Sequence, residues 1–441
     1  MYNEKYVRPY IKEIQSDKEN YFEDYQKMQT MVNQSDAIYK GQPIPVTYQG
    51  MFSGPEHVEN FQKISETLMS ITQKVTEEYL RNPDYRKLFR FDSKVEELIL
   101  HDPGYALPVP ICRYDLFYNG IDDFKFCEFN TDGSSAMNED STLGSIMLGT
   151  KGFLKYQEKY ELKQFELFDS WVKTALSIYQ GVPWSVEQPN VAIVDFIDKG
   201  TTNEFLKFKK AFEDAGVNCE IIDPRELDYD GENLTFGDYK IDLIYRRAVT
   251  MDIMEKFDEI QPMIRAFMDD KIVLIGSFRS HIMHTKLVFK ILRLPETRAF
   301  LTEEENAFLR DHIPYTEEFI TQDDFERVRL HKDDYILKPY EGYASYKVYA
   351  GREHSREEWE QILKEILNGD YIYQEYFDMD KIDFVEFEQD GSLIVTPFSA
   401  VHGMFIYGGD FQGLYTRIGN QALISGARRY YTAPNFLVRE R

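Results

Sequence analysis

The sequence predicts a mixed α/β (α+β) protein, and three stretches of the chain carry that prediction. Residues 1–105 have apolar side chains at helical spacing, a strand-helix-strand pattern begins at Asn190, and short apolar runs typical of antiparallel strands follow from Tyr335. A chain of 441 residues is long enough for roughly two to three domains, and its core needs no disulfide or metal to be stable.

Residues 1–105 are predicted to form a helical N-terminal region. The segment Ser53-Gly54-Pro55-Glu56 is a helix start signal, because proline is favoured in the first helical turn. After it, apolar residues recur every three or four positions and form one stripe on a long, half-buried helix: Val58, Phe61, Ile64, Leu68, Ile71, Val75 and Tyr79.

Residues 106–185 are predicted to begin with two antiparallel strands, at 108–118 and 123–130. Both runs are short, apolar or alternating, as expected of strands. The dipeptide Asn119-Gly120 between them is a strong signal for a two-residue hairpin turn.

Residues 186–285 are predicted to form a small doubly wound α/β domain. A buried strand is followed by a helix that ends at Gly216 and by another strand, and the same alternation then continues. The predicted strands are 191–196, 217–223, 241–247 and 271–277, and the predicted helices are 200–216 and 254–270.

Residues 286–441 are predicted to hold a helix near 285–294 and then a second region rich in antiparallel strands. Those strands are expected at 335–340, 346–351, 371–377, 382–401 and 404–409.

Composition excludes several classes of function. The chain has 51 Lys and Arg against 76 Asp and Glu, a formal charge of −25, which argues against nucleic-acid binding because that needs a basic face. Its three cysteines are scattered, so neither a zinc site nor a disulfide framework is indicated. The first residues contain no signal-peptide core, and no apolar run reaches membrane-spanning length. We therefore expect a soluble cytoplasmic protein without nucleic-acid or membrane partners.

The strongest candidate site lies on the predicted hairpin. Side chains alternate along a strand, so Arg113 and Asp115 lie on one face of the first strand, and Glu128 and Asn130 likewise lie on one face of the second. The hairpin brings the two pairs together. Two carboxylates and a carboxamide are hard oxygen ligands suited to Mg²⁺, and arginine is suited to gripping a phosphoryl oxygen. The alternative is an exposed cross-strand salt bridge.

A second candidate is a lysine at the end of a strand, followed by small residues. Lys338 precedes the turn Gly342-Tyr343-Ala344-Ser345, where backbone N–H groups could approach phosphates. The spacing is not that of a P-loop. The alternative is an ordinary hairpin.

Two further segments complete the pattern. Gln374-Glu375-Tyr376 ends an apolar strand and could present backbone groups and a carboxamide to an adenine edge, although it could equally be an edge strand. Arg417 lies among glycines, where it could clamp developing negative charge.

In order and spacing, these motifs resemble the synthetase domain of glutathionylspermidine synthetase and related circularly permuted ATP-grasp ligases. The resemblance runs from about Cys112 to Ser425. It implies an ATP-grasp fold in permuted order, in which 106–185 carries the metal site, 186–285 is a substrate domain similar to a pre-ATP-grasp domain, and 286–441 binds the nucleotide.

The resemblance also implies a role for each matching residue. The metal ligands are Asp115, Glu128 and Asn130; the catalytic residues are Arg113, Lys338 and Arg417. ATP is bound by Lys286, Lys338, Gly342, Ser345, Gln374, Glu375 and Tyr376. Asp132, Ser134 and Ser135 contact the substrate, and so do Arg246 and Arg247, for which a surface ion pair is the alternative.

The implied reaction joins a small-molecule or peptide carboxylate to an amine, using ATP and two Mg²⁺ ions. The carboxylate attacks the γ-phosphorus to give an acyl phosphate, and the amine then displaces phosphate. The lid lacks the arginine usual in the family, His284-Thr285-Lys286 stands where Ser-Asn-Lys is usual, and no amidase domain precedes the motifs. Fold and reaction type therefore carry over, but glutathione and spermidine do not. A phosphotransferase and a non-catalytic scaffold are the alternatives.

Overall fold

A computed structural model of the chain describes residues 3–198, 202–342, 345–424 and 430–441. The helices are α1 (Glu4–Ser16), α2 (Lys18–Asn33), α3 (Pro55–Arg81), α4 (Pro83–Arg86), α5 (Ser93–Leu100), α6 (Met137–Leu148), α7 (Lys151–Tyr156), α8 (Asp169–Gln180), α9 (Thr202–Asp214), α10 (Thr250–Glu255), α11 (Gln261–Met268), α12 (His281–His284), α13 (Val288–Ile291), α14 (Pro295–Arg298), α15 (Glu303–His312), α16 (Gln322–Leu330) and α17 (Arg356–Ile366).

The strands in the described ranges form six sheets. They are β1 (Ile38–Tyr39), β2 (Gln42–Pro43), β3 (Met51–Ser53), β4 (Ile111–Tyr118), β5 (Phe124–Asn130), β6 (Tyr160–Gln164), β7 (Asn190–Val194), β8 (Asn218–Ile222), β9 (Asp228–Tyr229), β10 (Leu234–Phe236), β11 (Tyr239–Ile241), β12 (Leu243–Arg246), β13 (Val273–Ile275), β14 (Thr316–Glu318), β15 (Tyr335–Pro339), β16 (Tyr349–Ala350), β17 (Tyr371–Glu375), β18 (Ile382–Phe387), β19 (Leu393–Tyr407), β20 (Asp410–Gly419), β21 (Tyr431–Ala433) and β22 (Asn435–Glu440).

The long predicted helix is confirmed as α3. Pro55 occupies its first turn, where the missing N–H costs nothing. The apolar stripe from Phe61 to Tyr79 is buried in the main hydrophobic core together with the side chains of β4 and β5. Helix α3 therefore supports the sheet that carries the candidate metal ligands.

The central sheet has the order β21-β20-β19-β4-β5, with β18 paired to β19, and all of its pairings are antiparallel. The two predicted segments 382–401 and 404–409 differ from the structure, because 393–407 is a single strand, β19. The predicted two-residue turn at Asn119-Gly120 is wrong. The loop spans residues 119–123, and the carbonyl of Asp123 closes it by accepting from the N–H groups of Asn119 and Gly120.

A β-bulge on β5 sets the register of this hairpin. The pairing is regular from Tyr118 opposite Phe124 to Leu116 opposite Phe126. The next residue of β4, Asp115, lies opposite Glu128, so Cys127 has no partner in the ladder. A bulge shifts the following side chains by one position and so changes which face they occupy. Without it, Glu128 would point away from the face of Asp115.

The parallel sheet β13-β12-β7-β8 forms the small α/β unit predicted from the βαβ pattern. Gly216, at φ +87°, follows α9 in the left-handed conformation that glycine adopts freely. The predicted helix 254–270 is broken into α10 and α11, because Pro262 cannot continue a helix but suits the first turn of a new one.

A third sheet, β14-β17-β15-β16, carries Lys338 and packs on α16 and α17 through a small core that includes Leu337, Trp359 and Tyr373. The helix predicted near 285–294 is only the short α13. The N–H of Lys286 bonds the carbonyl of Tyr340 instead of continuing a helix. This contact ties the segment before α13 to the strand that carries Lys338.

Within the described residues, no helix combines the length and apolarity that crossing a bilayer would require.

Candidate functional site

The hairpin β4–β5 brings the predicted metal ligands together. Arg113 lies opposite Asn130, and Asp115 lies opposite Glu128. The Arg113 guanidinium forks onto Asp115, with Nε 2.7 Å from Oδ1 and Nη2 3.1 Å from Oδ2. The four side chains therefore occupy one face of the sheet, as alternation along the strands predicts.

Arg417 joins this group from β20. Its Nη2 donates to Asp115 Oδ2 at 2.6 Å, so two arginines share one carboxylate that is only 1% exposed. Gly403 on β19 pairs with Asp115 and leaves the room for Arg113, since a Cβ there would lie 2.5 Å from the Arg113 Cδ. The sequence indicated Arg417 but not the role of Gly403.

Two lysines approach the same face. Lys286 Nζ lies 3.2 Å from Glu128 Oε1 and donates to the Gly342 carbonyl at 2.5 Å. Lys338 Nζ donates to the carbonyl of Cys127, the residue in the bulge, at 2.6 Å and to Gln374 Oε1 at 2.7 Å. The bulge thus has a second effect, because a carbonyl outside the ladder binds a lysine of the facing sheet.

Burial and charge shift the acid-base chemistry of this group. Burial raises the pKa of Glu128, but Lys286 and Lys338 outweigh it and lower the value to about 2. Burial lowers the pKa of Lys338. Glu128 is therefore ionised throughout the physiological range, as a metal ligand must be.

A cavity of about 230 Å³ opens beside these side chains. Of the residues predicted from the sequence, it is lined by Arg113, Glu128, Asn130, Asp132, Ser134, Ser135, Arg247, Ser345 and Arg417. Tyr343 and Ala344 of the predicted lid lie outside the described residues. Ser345, at φ +57°, has the left-handed backbone that is uncommon for a residue with a side chain.

The donor set fits a hard divalent cation in its chemistry. Among the residues described, no three His, Cys, Asp or Glu side chains form a metal-binding group by themselves. Asp115 and Glu128 supply two carboxylates, and the carboxamide of Asn130 on the same face supplies a third oxygen, which suits Mg²⁺ because that ion keeps several waters.

Sequence reasoning missed an anchor on helix α9. Glu204 Oε2 accepts from the backbone N–H groups of Ala136, Met137 and Asn138 at 2.7–3.1 Å, and Glu204 Oε1 accepts from Arg247 Nη2 at 2.7 Å. A carboxylate at a helix N-terminus is favourable because the orphan N–H groups point at it. The available signal in the sequence was that Glu204, a charged residue, lies four positions before Phe208 and therefore on the apolar stripe of α9.

Three more acids that sequence reasoning missed line the cavity: Glu139, Asp195 and Asp252. Burial is the largest cause that raises the pKa of Glu139 to about 8 and that of Asp195 to about 6. Asp140, next in α6, is fully buried and accepts from the N–H and Nδ2 of Asn435, yet burial raises its pKa to about 7. This side of the site therefore holds carboxyl groups that titrate near neutral pH.

The structure corrects the prediction for Arg246. Its guanidinium is buried, lies 2.6 Å from Asp132 and donates to the carbonyls of Gly276 and Ala248. Asp132 Oδ2 also accepts from the N–H of Thr250. Arg246 is not among the residues that line the cavity, and its charge is balanced by Asp132. The Asp132 residue does line the cavity, while its carboxylate is paired with Arg246 and accepts from Thr250.

The groups predicted to contact adenine are bonded to other parts of the protein in this structure. The carboxamide of Gln374 binds Lys338 and Thr316, the N–H of Glu375 donates to the Tyr315 carbonyl, and the N–H of Tyr376 donates to the Asp334 carbonyl.

These donors are used by the protein itself, because the segment pairs with its neighbours as a strand end. The ring of Tyr376, stacked 4.1 Å from the Arg352 guanidinium, lines a second cavity of about 620 Å³.

The chain is a mixed α/β protein, so the predicted fold class is confirmed. No family model matches the chain, and no curated protein was found to be similar to it.

The solved structures that are similar to this chain include one that matches over nearly its whole length. It is a glutathione synthetase-like effector, GSS30, from Globodera pallida in its apo form, with a TM-score of 0.56 and 9% identity over 94% of this chain and 96% of that one. At this identity the likeness shows the fold alone.

Two ligases are more distant. D-alanyl-alanine synthetase A from Vibrio cholerae has a TM-score of 0.28 and 8% identity, over 58% of this chain and 90% of that one. The ATP-grasp ligase PsnB, complexed with a minimal precursor, Mg and ADP, has a TM-score of 0.23 and 13% identity, over 55% and 87%. TM-scores this far below 0.5 do not show that either ligase shares the fold of this chain.

Proposed function

We propose that this protein is an ATP- and Mg²⁺-dependent ligase that joins a carboxylate to an amine through an acyl phosphate, with a permuted ATP-grasp fold. The observation that carries the proposal is a single cluster of two carboxylates, a carboxamide and four basic side chains from two facing sheets, of which Arg113, Glu128, Asn130 and Arg417 line the cavity. Such a site suits phosphoryl transfer, which needs alignment and charge neutralisation more than a protein nucleophile.

Each residue then has a role that its surroundings support. Asp115, Glu128 and Asn130 would hold Mg²⁺, which neutralises phosphate charge and orients the γ-phosphoryl group when bound. Lys286 and Lys338 would bind phosphate oxygens.

Arg113 and Arg417 would stabilise the negative charge that develops as phosphate is transferred and later released. Their position supports this role, because both residues line the cavity and both guanidinium groups are held in place by Asp115.

The acid substrate would bind on the other side of the cavity, where residues 186–285 contribute Arg247. Ser134 and Ser135 lie in the loop between β5 and α6, and Arg113 Nη1 donates to the Ser135 carbonyl at 2.7 Å. This contact supports a direct link between the substrate loop and the reacting phosphoryl group. The resemblance to glutathionylspermidine synthetases supports the reaction type, while the acid and the amine are open to experiment.

The test uses hydroxylamine as a general amine. The protein is incubated with ATP, Mg²⁺, hydroxylamine and pools of amino acids, dipeptides and small dicarboxylic acids, and hydroxamate, ADP and phosphate are measured. An acyl-phosphate ligase gives all three in equal amounts with the correct pool.

The alternatives give different products. A phosphotransferase gives ADP and a phosphorylated acceptor without hydroxamate, and a non-catalytic scaffold gives no turnover. Release of AMP and pyrophosphate would refute the proposal in favour of adenylation.

A further inference from the structure

The carboxylates assigned to the metal are both paired with the bases assigned to the nucleotide. Asp115 accepts from Arg113 and Arg417 at 2.6–3.1 Å. Glu128 lies 3.2 Å from Lys286. Neither carboxylate therefore faces the cavity as a bare anion.

The local charge is opposite to that of the whole chain. Four bases, Arg113, Arg417, Lys286 and Lys338, surround two carboxylates, whereas the chain carries a net charge of −25. This excess repels a divalent cation and attracts a polyphosphate.

The other acids that line the cavity are Asp132, Glu139, Asp195 and Asp252. Asp132 is paired with Arg246, and Asp195 has Arg247 as a charged neighbour. Burial raises the pKa of Glu139 to about 8, so its carboxyl group is mostly neutral at pH 7. The excess of bases is a property of the cluster around Asp115 and Glu128.

The two lysines are also held by neutral acceptors. Lys286 donates to the Gly342 carbonyl, and Lys338 donates to the Cys127 carbonyl and to Gln374. A phosphate oxygen is a stronger partner for an ammonium group than a neutral oxygen is, because the bond is charge-assisted at both ends. A bound triphosphate can therefore draw these bases to itself.

We propose that the site is masked against free metal: a divalent cation binds only with a nucleotide, whose phosphates take over the bases and release Asp115 and Glu128 as ligands. This inference rests on the proposed function for the identity of the nucleotide. It assigns Lys286 a role beyond phosphate binding, namely blocking Glu128 until the nucleotide arrives.

The experiment measures metal binding directly. Mn²⁺ replaces Mg²⁺, free Mn²⁺ is followed by electron paramagnetic resonance, and the nucleotide is the non-hydrolysable AMPPCP. Lys286→Met keeps an unbranched apolar stem and removes the charge beside Glu128. Lys290→Met is the matched control, because Lys290 lies four residues further on and pairs with Glu317 and Glu318.

For the wild type and Lys290→Met, we expect weak Mn²⁺ binding alone and binding at least tenfold tighter with AMPPCP. For Lys286→Met, we expect Mn²⁺ binding without nucleotide to be at least tenfold tighter than for the wild type, because one carboxylate is unmasked. Adding Glu128→Gln to Lys286→Met should abolish that gain.

Two results would overturn the proposal. One is tight Mn²⁺ binding by the wild type without nucleotide that Glu128→Gln removes. The other is unchanged Mn²⁺ affinity in a folded Lys286→Met protein. If that variant does not fold, Lys286→Gln takes its place in the same comparison with the wild type. Failure of AMPPCP to bind any variant would instead refute the proposed function, while the Lys286→Met measurement would still decide whether Glu128 is masked.

Discussion

Replacing Glu128 by glutamine separates a catalytic carboxylate from a merely structural one. The change keeps the shape and an acceptor oxygen for Lys286, which lies 3.2 Å away and also bonds the Gly342 carbonyl. At that distance, with an effective dielectric constant of about 20, the attraction is about 5 kcal/mol. Loss of water from both groups offsets most of it, and the Glu128 side chain is 25% exposed, so the net loss of stability is about 1 kcal/mol.

The expected effect on activity is much larger. A metal-binding carboxylate that organises phosphoryl transfer contributes about 4 kcal/mol to the transition state, which corresponds to about a thousandfold in rate. Glu128→Gln should therefore lose ATP-dependent hydroxamate formation while its urea midpoint stays close to that of the wild type.

The matched control is Glu220→Gln, which removes a surface partner of Lys209 at 2.6 Å. It should change neither quantity appreciably. Full activity in Glu128→Gln, or an equal loss of activity in both variants, would show that the carboxylate has no metal-binding role.

Three other changes test separate parts of the structure. Burial raises the pKa of Asp140 to about 7, so its protonated form stabilises the fold at low pH, and that contribution is lost as pH rises from about 4 to 7. In urea unfolding between pH 5 and pH 8, the wild type should lose about 3 kcal/mol more free energy of unfolding than Asp140→Asn. Parallel pH profiles of the two proteins would contradict this. Gly403→Ala should displace Arg113, since the new Cβ would lie 2.5 Å from the Arg113 Cδ. The rate of ATP turnover should fall at least tenfold, while the circular dichroism spectrum stays unchanged. Normal turnover would mean that Arg113 is not needed in its present position. Arg246→Met should cost about 3–5 kcal/mol of unfolding free energy by leaving Asp132 buried and unpaired; unchanged stability with a raised KM for the acid would restore Arg246 as a substrate ligand.

Periodicity predicted the faces of the fold well, because burial acts on every residue of a strand or helix. The apolar stripe of α3 and the alternation along β4 both follow from repeats of 3.6 and 2 residues. The small parallel sheet was predictable for the same reason, since its strands are buried on both faces and read as continuous apolar runs.

Register was not predictable, although the site depends on it. With the predicted two-residue turn, Asp115 would lie opposite Phe124 rather than Glu128. The five-residue loop shifts β5 along β4, and the bulge at Cys127 then places Glu128 on the same face as Asp115. Neither the loop closure through the Asp123 carbonyl nor the bulge has a strong local signal in the sequence.

Partners of buried charges were equally hidden, because they come from distant parts of the chain. The Arg246 pair with Asp132 and the Glu204 contact with α6 each join segments that only the folded chain brings together. A sequence motif indicates that an arginine is important, but not whether its partner is a substrate or a neighbouring side chain.

The central sheet has a consequence for biosynthesis. Arg417 and Asp115 are 302 residues apart in sequence, yet their strands are separated only by β19. The β4–β5 hairpin therefore leaves the ribosome long before the strands that cover its edge. Until then β4 has an unpaired edge, and Asp115 has Arg113 but not Arg417 as a partner. Edges left open in this way invite aggregation, so we expect newly made chains to depend on chaperones until β19 and β20 have been synthesised.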